Sequence, residues 1–188
     1  MSTAPPVRRL GVIVGSLRQA SFNRRLALAL QRLAPPSLQW QPIAVGDLPL
    51  INQDHESALP APVQAFKQAL AACDGLLLVT PEYNRSIPAP LKNAIDWASR
   101  PKGQNSLGGK PCAICGTSPG QLGSAAAQQH LRNVLSVLNA PTMSQPELFL
   151  HFTPELIAED GSVANDATRQ VLERYIAAVA AWVERWAA

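Results

Sequence analysis

Apolar positions along this chain follow two alternating rhythms. Short unbroken runs at Leu10-Gly-Val-Ile-Val14, at 76–80 and at Cys112-Ala-Ile-Cys115 show no polar alternation. That is the pattern of strands buried on both faces. Between them apolar residues recur near helical period: Phe22, Leu26, Leu30 and Leu33; Val63, Phe66, Leu70 and Cys73; Leu91 and Ile95. Further along come Leu131, Val134, Leu135 and Leu138, then Leu172, Ile176, Val179 and Val183 in a last helix expected from about Asn165. Pro35-Pro36 and Asp74-Gly75 end the first two helices, and Pro88 and Pro90 suit the first turn of the third. Residues 38–45 predict a second strand, and 143–149 a fifth that Pro146 assigns to a sheet edge. Residues 46–62 and 101–109 read as loops. Five strands alternating with five helices, without internal repeat, predict an α/β fold in one domain spanning 1–188: a doubly wound parallel sheet with helices on both faces. Ligands in such sheets bind beyond the carboxyl ends of the strands.

The 188 residues include 47% hydrophobic positions, enough for a real core. No apolar run approaches the about 18 residues of a membrane span, and Arg8 and Arg9 precede too brief a run for a secretory leader. A cytoplasmic protein without membrane association is expected. A net charge of +3 with scattered basic residues predicts no nucleic-acid surface. Charged residues make up only 15%, which suggests that another subunit covers part of the surface. Three cysteines (Cys73, Cys112 and Cys115) do not make a disulfide framework. Cys112 and Cys115 form a C-x-x-C pair, but on a strand residues three apart point to opposite faces, so neither a redox pair nor a metal site is expected.

Three strand ends carry the chemistry. The first is followed by Gly15-Ser-Leu-Arg-Gln-Ala-Ser-Phe-Asn23, where Gly15 permits a sharp exit. Ser16, Ser21 and Asn23 offer short hydrogen-bonding groups, Arg18 a fixed charge, and the next helix its free N–H groups, together a cradle for a phosphate. One N-cap explains Ser21 alone, not four such residues in eight positions. No Walker lysine and no G-x-G-x-x-G are present. The third strand ends in Thr80-Pro-Glu-Tyr-Asn-Arg-Ser86, where Tyr83 can form a platform for a flat heterocycle. The fourth ends in Gly116-Thr-Ser-Pro-Gly120, which matches the G-x-S-x-G nucleophile elbow. The oxyanion hole of that elbow needs the N–H of the residue after the serine, and Pro119 has none, so a hydrolase triad is rejected.

The segments GSLRQASFN, PEYNRSIPAPLKNAIDW and GKP…TSPG resemble the bacterial NAD(P)H-dependent FMN reductases, most nearly the quinone and chromate reductases, over almost the whole chain from Arg9 onward. The resemblance implies a flavodoxin-like fold with strand order 2-1-3-4-5, tightly held FMN, NAD(P)H as cosubstrate, and homodimers that can pair into tetramers. By matching position it assigns Ser16, Arg18, Ser21 and Asn23, with Phe22 adjoining, to the FMN phosphate. Glu82, Tyr83 and Asn84, after Pro81, would line the isoalloxazine, and Ser118 and Gly120 would flank its pyrimidine end. Arg85, counted with this cofactor-binding set, stands where relatives often carry Tyr, so no aromatic contact is carried over there. The implied reaction is ping-pong hydride transfer to quinones, flavins or chromate-like acceptors, with the flavin doing the chemistry and no catalytic side chain. The alternatives are a flavodoxin-type electron carrier, against which the basic charge argues, and a flavin-binding sensor. Asp54-His-Glu56 is expected to be a solvated charge cluster, Trp182 and Trp186 core or subunit contacts, and His130 a packed or surface histidine.

Overall fold

Five strands, β1 (Arg8–Val14), β2 (Leu38–Pro42), β3 (Gly75–Val79), β4 (Cys112–Ser118) and β5 (Phe149–His151), pair in parallel in the order β2-β1-β3-β4-β5. This is the flavodoxin-like order that the family resemblance implied. The helices are α1 (Phe22–Leu33), α2 (Ala61–Ala71), α3 (Ala89–Ala98), α4 (Ala125–Val137) and α5 (Asp166–Trp186). The computed structural model describes residues 6–186.

The sheet divides the core in two. Leu10, Val12, Leu77, Val79, Ala113 and Cys115 face a layer built from α1 and α5, with Leu26, Leu30, Leu172, Ile176 and Val179 fully buried there. Ile13, Leu76, Leu78, Cys112 and Ile114 face α2, α3 and α4 through Phe66, Leu70, Leu91, Leu131 and Leu135. Each fully buried Leu or Ile contributes about 1.5–3 kcal/mol relative to an exposed one. The alternation places Cys112 and Cys115 in different layers, as their spacing predicts, and burial pushes both thiols up to about 12. They stay protonated and apart. Tyr175 carries its hydroxyl into the α1/α5 layer, where it donates to the Ile114 carbonyl at 2.8 Å.

Three boundaries differ from expectation. β2 stops at Pro42 rather than 45, because Ile43 and Val45 turn under the sheet into the α2 layer, although Ile43 N still donates to Val12 O. β4 runs to Ser118, three residues past the apolar run, because Gly116, Thr117 and Ser118 find partners in Phe149, Leu150 and His151. The fifth strand is accordingly 149–151 and not 143–149. Thr142 and Met143 touch only the start of β4, at Cys112. Between these two contacts Pro146 has no N–H to offer a ladder.

The strand order makes β1 and β3 neighbours whose following helices leave for opposite faces of the sheet. The loops after them diverge, and the gap between them is where such sheets bind ligands. Gly15 serves this edge differently from the expectation. Its φ is not left-handed, and a Cβ there would lie 3.0 Å from Pro88 and 3.2 Å from Leu91. Close packing against α3 is what requires the glycine.

Candidate active site

A cleft of about 150 Å³ opens at the carboxyl ends of β1, β3 and β4. It gathers Ser16, Arg18, Ser21, Phe22 and Asn23 from the first loop, Pro81, Glu82 and Tyr83 from the second, and Ser118 from the third. Asn84, Arg85 and Gly120 stand just outside its lining. Thr117 and Pro119 complete the wall. They were missed in the sequence because the apolar run that marks β4 stops at Cys115.

In the first loop Ser21 is the N-cap of α1, its Oγ accepting from Arg24 N at 3.3 Å, so the simple capping role holds for that residue. Arg18 lies 4.5 Å over the ring of Phe22, which is itself stacked on Phe152 at 4.0 Å. Its guanidinium also donates to Ala20 O at 2.6 Å. These contacts hold the cation at the cleft in one place. The first turn of α1 contains no carboxylate, so the positive end of the helix and the N–H groups of Phe22 and Asn23 stay available to an anion. Ser16 is buried beside them. The Asn23 side chain has another use: it donates to Thr117 O at 2.9 Å and accepts from Thr117 N at 3.0 Å, stapling the first loop to β4. Only its main-chain N–H remains for a ligand.

The second loop makes a two-residue hairpin. Tyr83 and Ser86 exchange backbone hydrogen bonds at 2.9 and 3.0 Å, and Asn84 and Arg85 between them have φ of 52° and 64°. Positive φ at both central positions is the primed turn that fits a twisted ladder. Tyr83 is left half exposed at the cleft mouth, as a platform requires. The Glu82 carboxylate accepts from Ala126 N at 2.9 Å and Ala127 N at 3.2 Å, and its other oxygen lies 3.8 Å from Arg85. His130 and Ser86 Oγ share a hydrogen bond of 2.7 Å. In the third loop Ser118 Oγ accepts from Gly120 N at 3.2 Å, and Gly120 O meets His151 Nδ1 at 3.2 Å. With His151 and His130 so engaged and Pro119 after the serine, nothing here resembles a hydrolytic triad.

The cleft therefore joins an anion cradle to an open aromatic platform. Its volume is below the about 300 Å³ at which enclosed ligand sites begin. It suits a phosphate and a polyol chain, with a flat ring resting outside on Tyr83. Serine hydroxyls, free helix N–H groups and a fixed arginine match the donors that an FMN phosphate needs, so the residues present fit the nucleotide. A larger cavity, about 440 Å³, lies between α1 and β2 and shares only Ser16 with this cleft. Its lining is mostly aliphatic, with Trp40 and the polar side chains of Arg24, Gln31 and Asp47. Among the described residues no group of three or more His, Cys, Asp or Glu could hold a metal. Glu56 pairs with Arg100 at 2.9 Å, and Trp182 meets Trp186 edge-on at 5.6 Å. No helix among the described residues is long and apolar enough to cross a membrane.

Residues 8–155 match the family model described as NADPH-dependent FMN reductase. A 2-hydroxy-1,4-benzoquinone reductase from a Burkholderia species is 49% identical, covering 93% of this chain and 96% of that protein. A quinone reductase of Escherichia coli strain K12 is 37% identical over 92% of this chain and 94% of its own. Among solved structures, FerB, the flavoenzyme NAD(P)H:(acceptor) oxidoreductase from Paracoccus denitrificans, superposes with a TM-score of 0.91. It is 44% identical, with 95% of this chain and 98% of that chain covered.

Proposed function

The chain belongs to the NADPH-dependent FMN reductase family, and from that premise we propose that it is an FMN-dependent oxidoreductase carrying electrons from NAD(P)H to quinone-type acceptors. The observation that carries the proposal is the continuity of the anion cradle at Ser16, Arg18 and the α1 N-terminus with the Tyr83 platform. When bound there, FMN supplies the hydride chemistry. The protein's own residues bind and orient. Ser16, Arg18 and the first-turn N–H groups hold the phosphate. Pro81, Tyr83 and Asn84 set the plane on which the ring rests, and the main-chain groups around Ser118 and Gly120 meet its polar edge. Arg85 stands at the rim, where its charge faces arriving substrates.

No side chain in the cleft is required to move a proton, so we assign no catalytic acid or base, and a broad acceptor range follows. Quinones come first, supported by the names of the relatives, and free flavins and chromate-like oxidants follow from the same tolerance. Tyr83 is half exposed, which supports a ring site with an open face. Donor and acceptor use it in turn, and the kinetics are ping-pong. The sparse charge and exposed side chains such as Leu50 and Val137 support a homodimer or a dimer of dimers, acting in the cytoplasm as one domain.

The test is the visible spectrum of the purified protein. Oxidised flavin bands are expected, bleached by anaerobic NADPH and restored by a quinone, with steady NADPH consumption when both are present. A colourless protein that refuses added FMN would overturn the proposal. A coloured one that turns over no NADPH would point instead to an electron carrier.

A further inference from the structure

The first turn of α4 lacks a cap of its own. Ser124, at the N-cap position, has φ of 76° and makes no side-chain cap bond; its Oγ accepts instead from Gln128 Nε2 at 3.0 Å. No acidic residue lies in the turn that follows. Glu82, more than forty positions earlier, fills both roles, since its Oε2 accepts from Ala126 N and Ala127 N. The carboxylate thus caps the helix and sets a negative charge at its positive end. The side chain is 13% exposed, and its oxygens face α4 and Arg85. Four positions along α4, and so on the same face, His130 holds Ser86.

These two anchors bracket the 83–86 turn, one just before it and one at its end. The turn needs holding. Asn84 and Arg85 both sit in the left-handed region, which for residues other than glycine persists only when the surroundings over-determine it. We propose that Glu82 and His130 are positioning residues that fasten the 83–86 turn to α4 and thereby fix Tyr83 and Asn84 where the flavin ring rests. The inference builds on the FMN reading of the cleft, but the fastening itself is a property of the chain without cofactor.

The experiment uses Glu82→Ala, Glu82→Gln and His130→Ala in the full chain. In the apo proteins, amide hydrogen exchange at Tyr83, Ser86, Ala126 and Ala127 is read by mass spectrometry or NMR. Faster exchange confined to these sites is expected in Glu82→Ala, and at Tyr83 and Ser86 in His130→Ala. In the loaded proteins FMN affinity should stay within about threefold, because the phosphate contacts come from the first loop and the start of α1, which these substitutions leave in place. The visible circular dichroism of the flavin should change, and quinone kcat should fall about tenfold or more from misplacement of the platform. Glu82→Gln keeps one acceptor oxygen and should restore most of the protection and most of kcat. Unchanged exchange in folded Glu82→Ala would overturn the fastening whether or not the chain binds FMN. Loss of FMN binding with normal exchange would make Glu82 a direct ligand. A Gln variant with restored protection but a kcat as low as that of Ala would make the carboxylate charge, and not the fastening, the functional property. Either result refutes the proposal.

Discussion

Arg18 combines the functions proposed for the cradle. Its charge is proposed to meet the phosphate, its guanidinium carbon lies 4.5 Å over the Phe22 ring, and one N–H is tied to Ala20 O. Arg18→Ala should weaken FMN binding by about 1.5–3 kcal/mol, the usual worth of a charged hydrogen bond. Titration of the apoprotein with FMN should then give a dissociation constant raised by one to two orders of magnitude, and an unchanged constant would remove Arg18 from the site. Residue types brought Ser16, Arg18, Ser21 and Asn23 to notice in sequence, and the structure gathers all four in one cleft. Individual roles were less visible. Asn23 is committed to Thr117, which is 94 positions away, and Glu82 to the start of α4. A side chain's choice among distant backbone groups leaves no mark in local spacing.

Apolar rhythm identifies elements well where the chain is buried on both faces, as in β3 with all five residues buried. It fails where strand pairing rests on the backbone alone. Gly116, Thr117 and Ser118 read as a loop, yet β5 supplies their ladder, and β5 is itself too short and too exposed to show any pattern. Gly116 is the tightest point of this region. A Cβ there would fall onto the Thr80 carbonyl oxygen and the Ser124 hydroxyl. Because a backbone carbonyl cannot swing aside, Gly116→Ala should force β3 and β4 apart, costing about 1–3 kcal/mol as overpacked sites do. Thermal unfolding should register this as a drop of several degrees, together with weaker FMN binding since both flanking loops move. A variant with wild-type melting would show the two strand ends to be more compliant than their contacts imply.

Across the whole molecule the doubly wound parallel sheet was legible because alternating strands and helices admit few right-handed, unknotted arrangements, while the strand order followed from the family resemblance. The two-layer core was legible too, and it carries a pH signature. Cys112 and Cys115 are held near 12 by burial, against 9.0 in an exposed chain, and burial raises Tyr175 in the same direction. Below pH 9 the thiols are protonated in both folded and unfolded states, and their contribution to stability is complete. Above it the unfolded chain releases protons that the folded chain retains. Stability therefore falls as pH rises from about 9 toward 12, by about 1.4 kcal/mol per pH unit for each thiol. Urea midpoints measured from pH 8 to beyond 10 should decline less steeply in Cys112→Ala/Cys115→Ala than in the parent, with Tyr175 accounting for a remaining slope. Equal slopes would mean that other groups govern alkaline unfolding.

Phe152 follows the three-residue margin of the sheet, donates its N–H to Ser118 O at 2.8 Å and lies flat beneath Phe22. Through that pair of rings the three-residue edge strand supports the cation proposed to hold the phosphate. Fraying there would release the coenzyme while the rest of the molecule stayed intact, so on warming the yellow colour would leach into solution before the protein melts.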